Sequence, residues 1–249
     1  MLNYTRHGRG ETLVLLHGFL GGTAYWVPLV TGLKHAHDVI AVDLPGFAGS
    51  ARVPAPESLG GYARAVLDLL DSLGVNRFAL LGFSMGGMIA QQAALDFPGR
   101  IDKLVLYGSA AVGNLPHRFE SWEASIARIE REGVEPTADK TVATWFTEGT
   151  RHPYYAACRE ACRGAHAPSC ITVMRAMQQW SNVDRLGKIT MPTLVIVGDK
   201  DRSTKVSDSI ILWEGIPGAE FCVMPHCAHG AHMEKPDLFN KVLADFLAA

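Results

Sequence analysis

Six short apolar runs punctuate the chain, each stopped by a turn former or a polar residue. Leu13-Val14-Leu15-Leu16 precedes His17-Gly18, Val39-Ile40-Ala41-Val42 precedes Asp43, and Phe78-Ala79-Leu80-Leu81 precedes Gly82. Further on, Leu104-Val105-Leu106-Tyr107 precedes Gly108, Leu194-Val195-Ile196-Val197 precedes Gly198, and Phe221-Cys222-Val223-Met224 precedes Pro225. Runs without polar alternation are the pattern of strands buried on both faces, which a parallel sheet covered by helices requires. Between them, Gly61 to Leu73 and Gly86 to Asp96 carry apolar residues three and four apart, the helical period. This alternation predicts an α/β protein with a mostly parallel, doubly wound sheet.

One interval breaks the rhythm. From Val112 to Lys188 no strand-like run occurs, and the residues read as three or four helices separated by Pro and Gly. Their approximate spans are His117 to Glu132, Thr137 to Thr147, Tyr154 to Gly164 and Ser169 to Trp180. In the first of them Trp122, Ile126 and Ile129 recur at helical spacing, which marks an amphipathic face. The expected organisation is one domain over residues 1–249, with residues 112–188 inserted as a helical cap between two core strands. No internal repeat, low-complexity tract or linker divides the chain. Little room precedes Leu13 for an antiparallel hairpin, so the sheet is expected to lack an edge strand there.

Composition narrows the function classes. With 249 residues, 48% hydrophobic and 19% charged, the chain has ample material for a core, and neither disorder nor a disulfide scaffold fits. A formal charge of −2 gives no basic field for nucleic acid or an anionic membrane. The N-terminus has no apolar h-region and no run is long enough to span a bilayer, which points to a cytoplasmic protein. Five cysteines (Cys158, Cys162, Cys170, Cys222, Cys227) without a CxxC pair fit reduced, packed thiols. A homo-oligomer is compatible with this composition.

The chemistry concentrates at Gly82-Phe83-Ser84-Met85-Gly86-Gly87, which follows a predicted strand and precedes a predicted helix. That is the context of a G-x-S-x-G nucleophile elbow, where flanking glycines let a strained serine stand clear of the sheet at the positive end of a helix. A serine hydroxyl is a weak nucleophile at neutral pH and needs a general base, itself oriented by a carboxylate. Gly198-Asp199-Lys200-Asp201 and Pro225-His226-Cys227-Ala228-His229-Gly230 each lie just past a strand's carboxyl end, where such sheets place ligands. An aspartate near 201 and a histidine near 229 are the partners expected for Ser84.

The ordered landmarks resemble those of the α/β-hydrolase superfamily from about residue 12 to the C-terminus. They are His17-Gly18-Phe19, Asp43-Leu44-Pro45-Gly46-Phe47-Ala48-Gly49-Ser50, the turn at Ser84, Gly198-Asp199-Lys200-Asp201, and His229 followed by Glu234-Lys235-Pro236. The resemblance implies Ser84, Asp201 and His229 as a catalytic triad, with the fourth residue of G-x-x-D as the acid and the histidine five before the glutamate of E-x-P as the base. It also implies the backbone N–H groups of Phe19 and Met85 as an oxyanion hole, and no cofactor. Within the superfamily the chain is similar to 3-oxoadipate enol-lactonases and related small carboxylesterases. The residues carrying this are Gly82 to Gln91, Arg100-Ile101-Asp102-Lys103-Leu104-Val105-Leu106, Trp145-Phe146-Thr147 and Ile216-Pro217-Gly218-Ala219. Thr144 stands where many of those enzymes carry a basic residue before the tryptophan.

The activity so implied is hydrolysis of a small carboxylic ester or lactone through an acyl-enzyme. Rival readings on the same framework are a C–C bond hydrolase of a β-diketone or ring-cleavage product, a cofactor-free haloperoxidase or perhydrolase, a lyase, and a non-catalytic small-molecule receptor. His17 precedes the serine and is read as a support for the oxyanion loop. His226, Cys227, His229 and His232 have His-x-x-His spacing, yet no metal is expected, because ligation would take His229 from the triad. Asp68 and Asp71 read as solvated helix residues. Trp122, Trp145, Phe146 and Trp180 of the insertion serve either helix packing or a substrate-pocket roof; a cap must cover something, so one or two should face Ser84.

Overall fold

The computed structural model describes residues 1–118 and 120–249. Seven strands, β1 (Tyr4–Gly8), β2 (Glu11–Leu16), β3 (His37–Val42), β4 (Phe78–Phe83), β5 (Ile101–Tyr107), β6 (Thr193–Gly198) and β7 (Glu220–Met224), form one sheet in the order β1-β3-β2-β4-β5-β6-β7. Every pairing is parallel except β1 against β3, where Tyr4 faces Val42 and Gly8 faces Asp38. The short N-terminal segment therefore supplies an antiparallel edge strand where a missing one was expected. It carries no apolar run because only its first two residues are partly covered; main-chain bonding and the Arg6–Asp38 ion pair at 2.7 Å hold it.

The pleat sends alternate residues to opposite faces, and both faces are buried. Leu13, Leu15, Val39, Leu81, Val105 and Ile196 pack with Trp26, Leu29 and Leu33 at α1 (Val27–Leu33) and with Phe239 and Leu243 of the C-terminal helix Pro236–Ala248. Val14, Leu16, Ile40, Leu80, Leu104 and Val195 pack on the other side with α2 (Leu59–Ser72), α3 (Met85–Asp96) and the helical insertion. Full burial of each large aliphatic side chain contributes about 1.5–3 kcal/mol, so five of the six runs read from the sequence are the two-sided core itself; the sixth, in the edge strand β7, is only partly covered, with Val223 exposed.

Between β5 and β6 lie α4 (Trp122–Glu132), α5 (Glu135–Ala143), α6 (Tyr155–Ala161) and α7 (Ala167–Gln179). The first begins later than the predicted His117, because Ser121 accepts from the Ala124 N–H at 3.1 Å and fixes the start there; Phe119, inside the predicted span, lies outside the described residues. The insertion is closed at its neck: Val112 bridges Ser181 antiparallel, Gly113 N–H donates to Trp180 C=O at 3.0 Å, and Asn182 N–H to Ala111 C=O at 2.9 Å. The chain ends with α8 (Val206–Gly215), α9 (Ala231–Glu234) and α10 (Pro236–Ala248). Among the described residues no helix is long and apolar enough to cross a membrane.

Candidate active site

Ser84 sits between the last residue of β4 and the first of α3 with φ +56° and ψ −117°, a conformation costly for a residue with a Cβ. Two close approaches allow it. A Cβ at Gly82 would lie 2.2 Å from Gly86 O, and one at Gly86 would lie 2.3 Å from Leu16 O. The turn is further held by Ser84 N–H donating to Tyr107 C=O at 2.9 Å and Ser109 Oγ donating to Ser84 C=O at 2.9 Å. The first N–H groups of α3, Met85 included, have no acceptor within the helix.

The loops after β6 and β7 bring Asp201 and His229 together. Nδ1 of His229 lies 2.6 Å from Asp201 Oδ2, and both side chains are essentially excluded from water. The carboxylate is saturated: Oδ1 accepts from the N–H groups of Ser203 at 2.8 Å and Thr204 at 3.0 Å, and Oδ2 also accepts from Thr204 Oγ1 at 3.1 Å. Asp199 has a different task, accepting from Cys227 N–H at 3.1 Å and facing Lys200. The imidazole of His229 rests against Phe83, with ring centroids 4.6 Å apart. Its backbone C=O accepts from the Tyr107 hydroxyl at 2.5 Å. Ser84 and His229 border the same cavity; no hydrogen bond joins them here, a common arrangement before substrate binds.

His17 is fixed as a neutral support. Its Nδ1 lies 2.7 Å from the Gly18 C=O, to which it can only donate, and its Nε2 accepts from Leu44 N–H at 2.9 Å. The Gly18 carbonyl accepts from Gly21 N–H at 3.0 Å as well, so the turn carrying Phe19 is tied at both ends. Among the described residues the Phe19 N–H has no hydrogen-bond partner. The neighbouring histidines diverge from His229: His226 is exposed, while His232 is buried with Nε2 3.1 Å from Tyr25 C=O. Among the described residues no group of three His, Cys, Asp or Glu side chains could hold a metal ion. Asp68 and Asp71 part company on the surface toward Arg64 and Arg100.

Burial pushes the His232 imidazolium down to about 4 and lowers His17 in the same direction. The unfolded chain then binds more protons than the native one below the ordinary histidine value of about 6.5. Stability is fully present above that value and is lost as pH falls toward 4. The urea midpoint is expected to drop progressively from pH 6.5 to 4.5, and His232→Gln should flatten that dependence.

The cavity at Ser84 has a free volume of ≈ 120 Å³ and is walled by both the sheet side and the insertion. Phe19, Met88, Trp122, Trp145, Met174 and Met177 make it largely apolar. Trp122 and Trp145 thus border the cavity that holds the serine, whereas Phe146 and Trp180 do not line it. Phe146 is buried against His152, ring centroids 4.1 Å apart, and Trp180 donates its indole N–H to Gln92 at 3.1 Å. Of the four aromatics offered for packing or for the pocket roof, these two serve packing.

Glu234 has a structural role that its place in a motif did not reveal. One carboxylate oxygen accepts from the N–H and hydroxyl of Thr147 at 2.6 and 2.7 Å, and the other from Ala228 N–H at 2.6 Å. With the Gly230 N–H to Trp145 C=O bond at 2.6 Å, it fastens the His229 loop to the insertion. Glu234→Ala is expected to destabilise by about 1.5–3 kcal/mol, seen as a lower urea midpoint.

The family model described as the alpha/beta hydrolase fold matches residues 11–236. A protein of Agrobacterium fabrum whose name proposes carbamate hydrolysis is 29% identical over 259 residues, covering 99% of this chain and 98% of that protein. A 2-hydroxy-6-oxo-6-phenylhexa-2,4-dienoate hydrolase of Comamonas testosteroni is 30% identical over 266 residues, covering 99% and 91%. Among solved structures, an enol-lactonase of Burkholderia xenovorans superposes with a TM-score of 0.92 at 25% identity, covering 100% of this chain and 96% of that one.

Proposed function

The chain belongs to the alpha/beta hydrolase fold family, and from that premise we propose that it is a serine hydrolase of small carboxylic esters or lactones. The observation that carries the reading is the convergence on one cavity of a serine on a strained strand-to-helix turn and a buried histidine paired to a saturated carboxylate. His229 Nε2 takes the Ser84 proton as Oγ attacks the carbonyl carbon. Asp201 holds the imidazole with its hydrogen on Nδ1 and stabilises the imidazolium. The N–H groups of Met85 and Phe19 receive the oxyanion; such a donor is worth about 10²–10³ in rate.

Collapse of the tetrahedral species breaks the carbonyl C–O bond to the leaving alcohol or enol, which takes the proton from His229. Water, deprotonated by the same base, then attacks the acyl-Ser84 ester and releases the acid. Trp122 and Trp145 would shape the acyl pocket under the capping insertion. The reaction as written needs water alone as co-reactant.

Stopped-flow mixing with p-nitrophenyl butyrate tests this. A burst approaching one p-nitrophenolate per chain, followed by slower turnover, supports the acyl-enzyme; a folded protein giving neither burst nor turnover overturns it. The dienoate hydrolase similarity favours a second reading, hydrolysis of a C–C bond in a vinylogous 1,5-diketone. Loss of the dienoate chromophore of such a substrate at a rate exceeding ester turnover would select it.

A further inference from the structure

Three arginines, Arg118, Arg128 and Arg202, line the cavity at Ser84, and no acidic side chain does among the described residues. They are not equivalent. Arg128 is buried, but Glu120 grips its guanidinium through both carboxylate oxygens, and its Nε donates to Thr137 Oγ1 at 3.0 Å. Arg128 in turn holds the Glu120 carboxyl down at about 2, so this charge is cancelled where it stands. Arg202 is exposed to water.

Arg118 remains. It is half-buried, sits over the Trp122 ring with its guanidinium carbon 3.5 Å from the centroid, and donates through Nε to the Glu120 backbone C=O at 3.2 Å. No carboxylate lies within ion-pair distance of it among the described residues. Desolvation lowers its guanidinium below the ordinary value. The indole N–H of Trp122 beneath it is also buried without a partner among the described residues. A planar fork of donors stacked on an aromatic ring, with its terminal nitrogens uncommitted, suits bidentate binding of a carboxylate. Glu120 is consumed by Arg128 and cannot supply it.

We propose that Arg118, held on Trp122, is the specificity determinant of this site and selects ester or lactone substrates that carry a second, free carboxylate. The proposal rests on the serine hydrolase reading for its reaction and on the Arg118 geometry for its ligand.

The test compares p-nitrophenyl hemiglutarate with p-nitrophenyl 5-methylhexanoate, in which an isopropyl group replaces the carboxylate. The protein is expected to prefer the hemiglutarate in kcat/KM, and Arg118→Gln to reduce the ratio of the two about 10–100-fold, mainly through KM. Arg118→Lys should retain part of the preference. An unchanged ratio in Arg118→Gln, with thermal midpoint confirming its fold, overturns the proposal. Titration of glutarate into Ser84→Ala and into Ser84→Ala/Arg118→Gln separates the two claims. Binding that weakens tenfold or more without Arg118 upholds the carboxylate site even if no ester is turned over, in which case the hydrolase reading alone fails. Equal binding by both overturns the site.

Discussion

Ser84→Ala is expected to lower kcat toward p-nitrophenyl butyrate by about 10⁴–10⁶-fold and to abolish the burst, with a thermal midpoint within a few degrees of the parent. The separation of the two effects follows from the geometry. Among the described residues Ser84 Oγ makes no hydrogen bond, so its removal leaves no buried group unsatisfied. The main-chain bonds of Ser84 to Tyr107, Ser109 and the first turn of α3 survive, and alanine tolerates φ +56° no better and no worse than serine. Ser84→Gly should be as inactive yet more stable by about 1 kcal/mol, because glycine relieves the strain. Turnover by the alanine variant above about a hundredth of the parent rate would mean that Ser84 is not the nucleophile.

Asp201→Asn is the second large effect, a fall of about 10⁴-fold in kcat. The amide is isosteric, but its orientation is dictated by neighbours. The two N–H groups of Ser203 and Thr204 demand an oxygen at the Oδ1 position. The amide nitrogen is thereby turned toward His229 Nδ1, which must become an acceptor and shift its hydrogen to Nε2, the atom that should receive the serine proton. Ground-state binding does not use that hydrogen, so KM is expected to change little. Asp199→Asn, two residues away and bound to the Cys227 N–H, should stay within about threefold of the parent. Equal losses in the two variants would assign the effect to disturbance of the loop and not to the imidazole.

What the sequence revealed and what it hid have physical causes. Strands β2 to β6 announced themselves because their carboxyl-terminal residues are buried on both faces and are almost all apolar, and β7 did so by an apolar run that is only partly covered. Strand β1 did not, since an edge strand of Tyr, Thr, Arg, His and Gly is held by main-chain bonds, which side-chain types do not encode. Ser84 was legible because its turn demands glycine at positions 82 and 86. Choosing Asp201 over Asp199 needed family resemblance, and the structure shows the reason: the two carboxylates differ in which donors surround them, not in sequence context. The arginines were opaque for the same reason. Arg118 and Arg128 look alike along the chain, and only the placement of Glu120 leaves one neutralised and the other free to act. Trp122 and Trp145 could not be told from Phe146 and Trp180, because three of the four lie in turns just beyond the helices, where no periodicity fixes the direction of a side chain.

The sheet order also sets a timetable for synthesis. Strands β1 to β5 with α1 to α3 are contiguous in the chain up to Tyr107, and their contacts are comparatively local. Strand β6 reaches its neighbour β5 only after residues 108–192 have been made, and closing so long a loop makes that step late and slow. Because domains fold as the chain emerges, the amino-terminal half with the strained serine turn can form while Asp201 and His229 are still unmade. A nascent or truncated chain ending before β6 would thus display the serine turn without either of these residues and with a bare β5 edge, and self-association is its principal hazard.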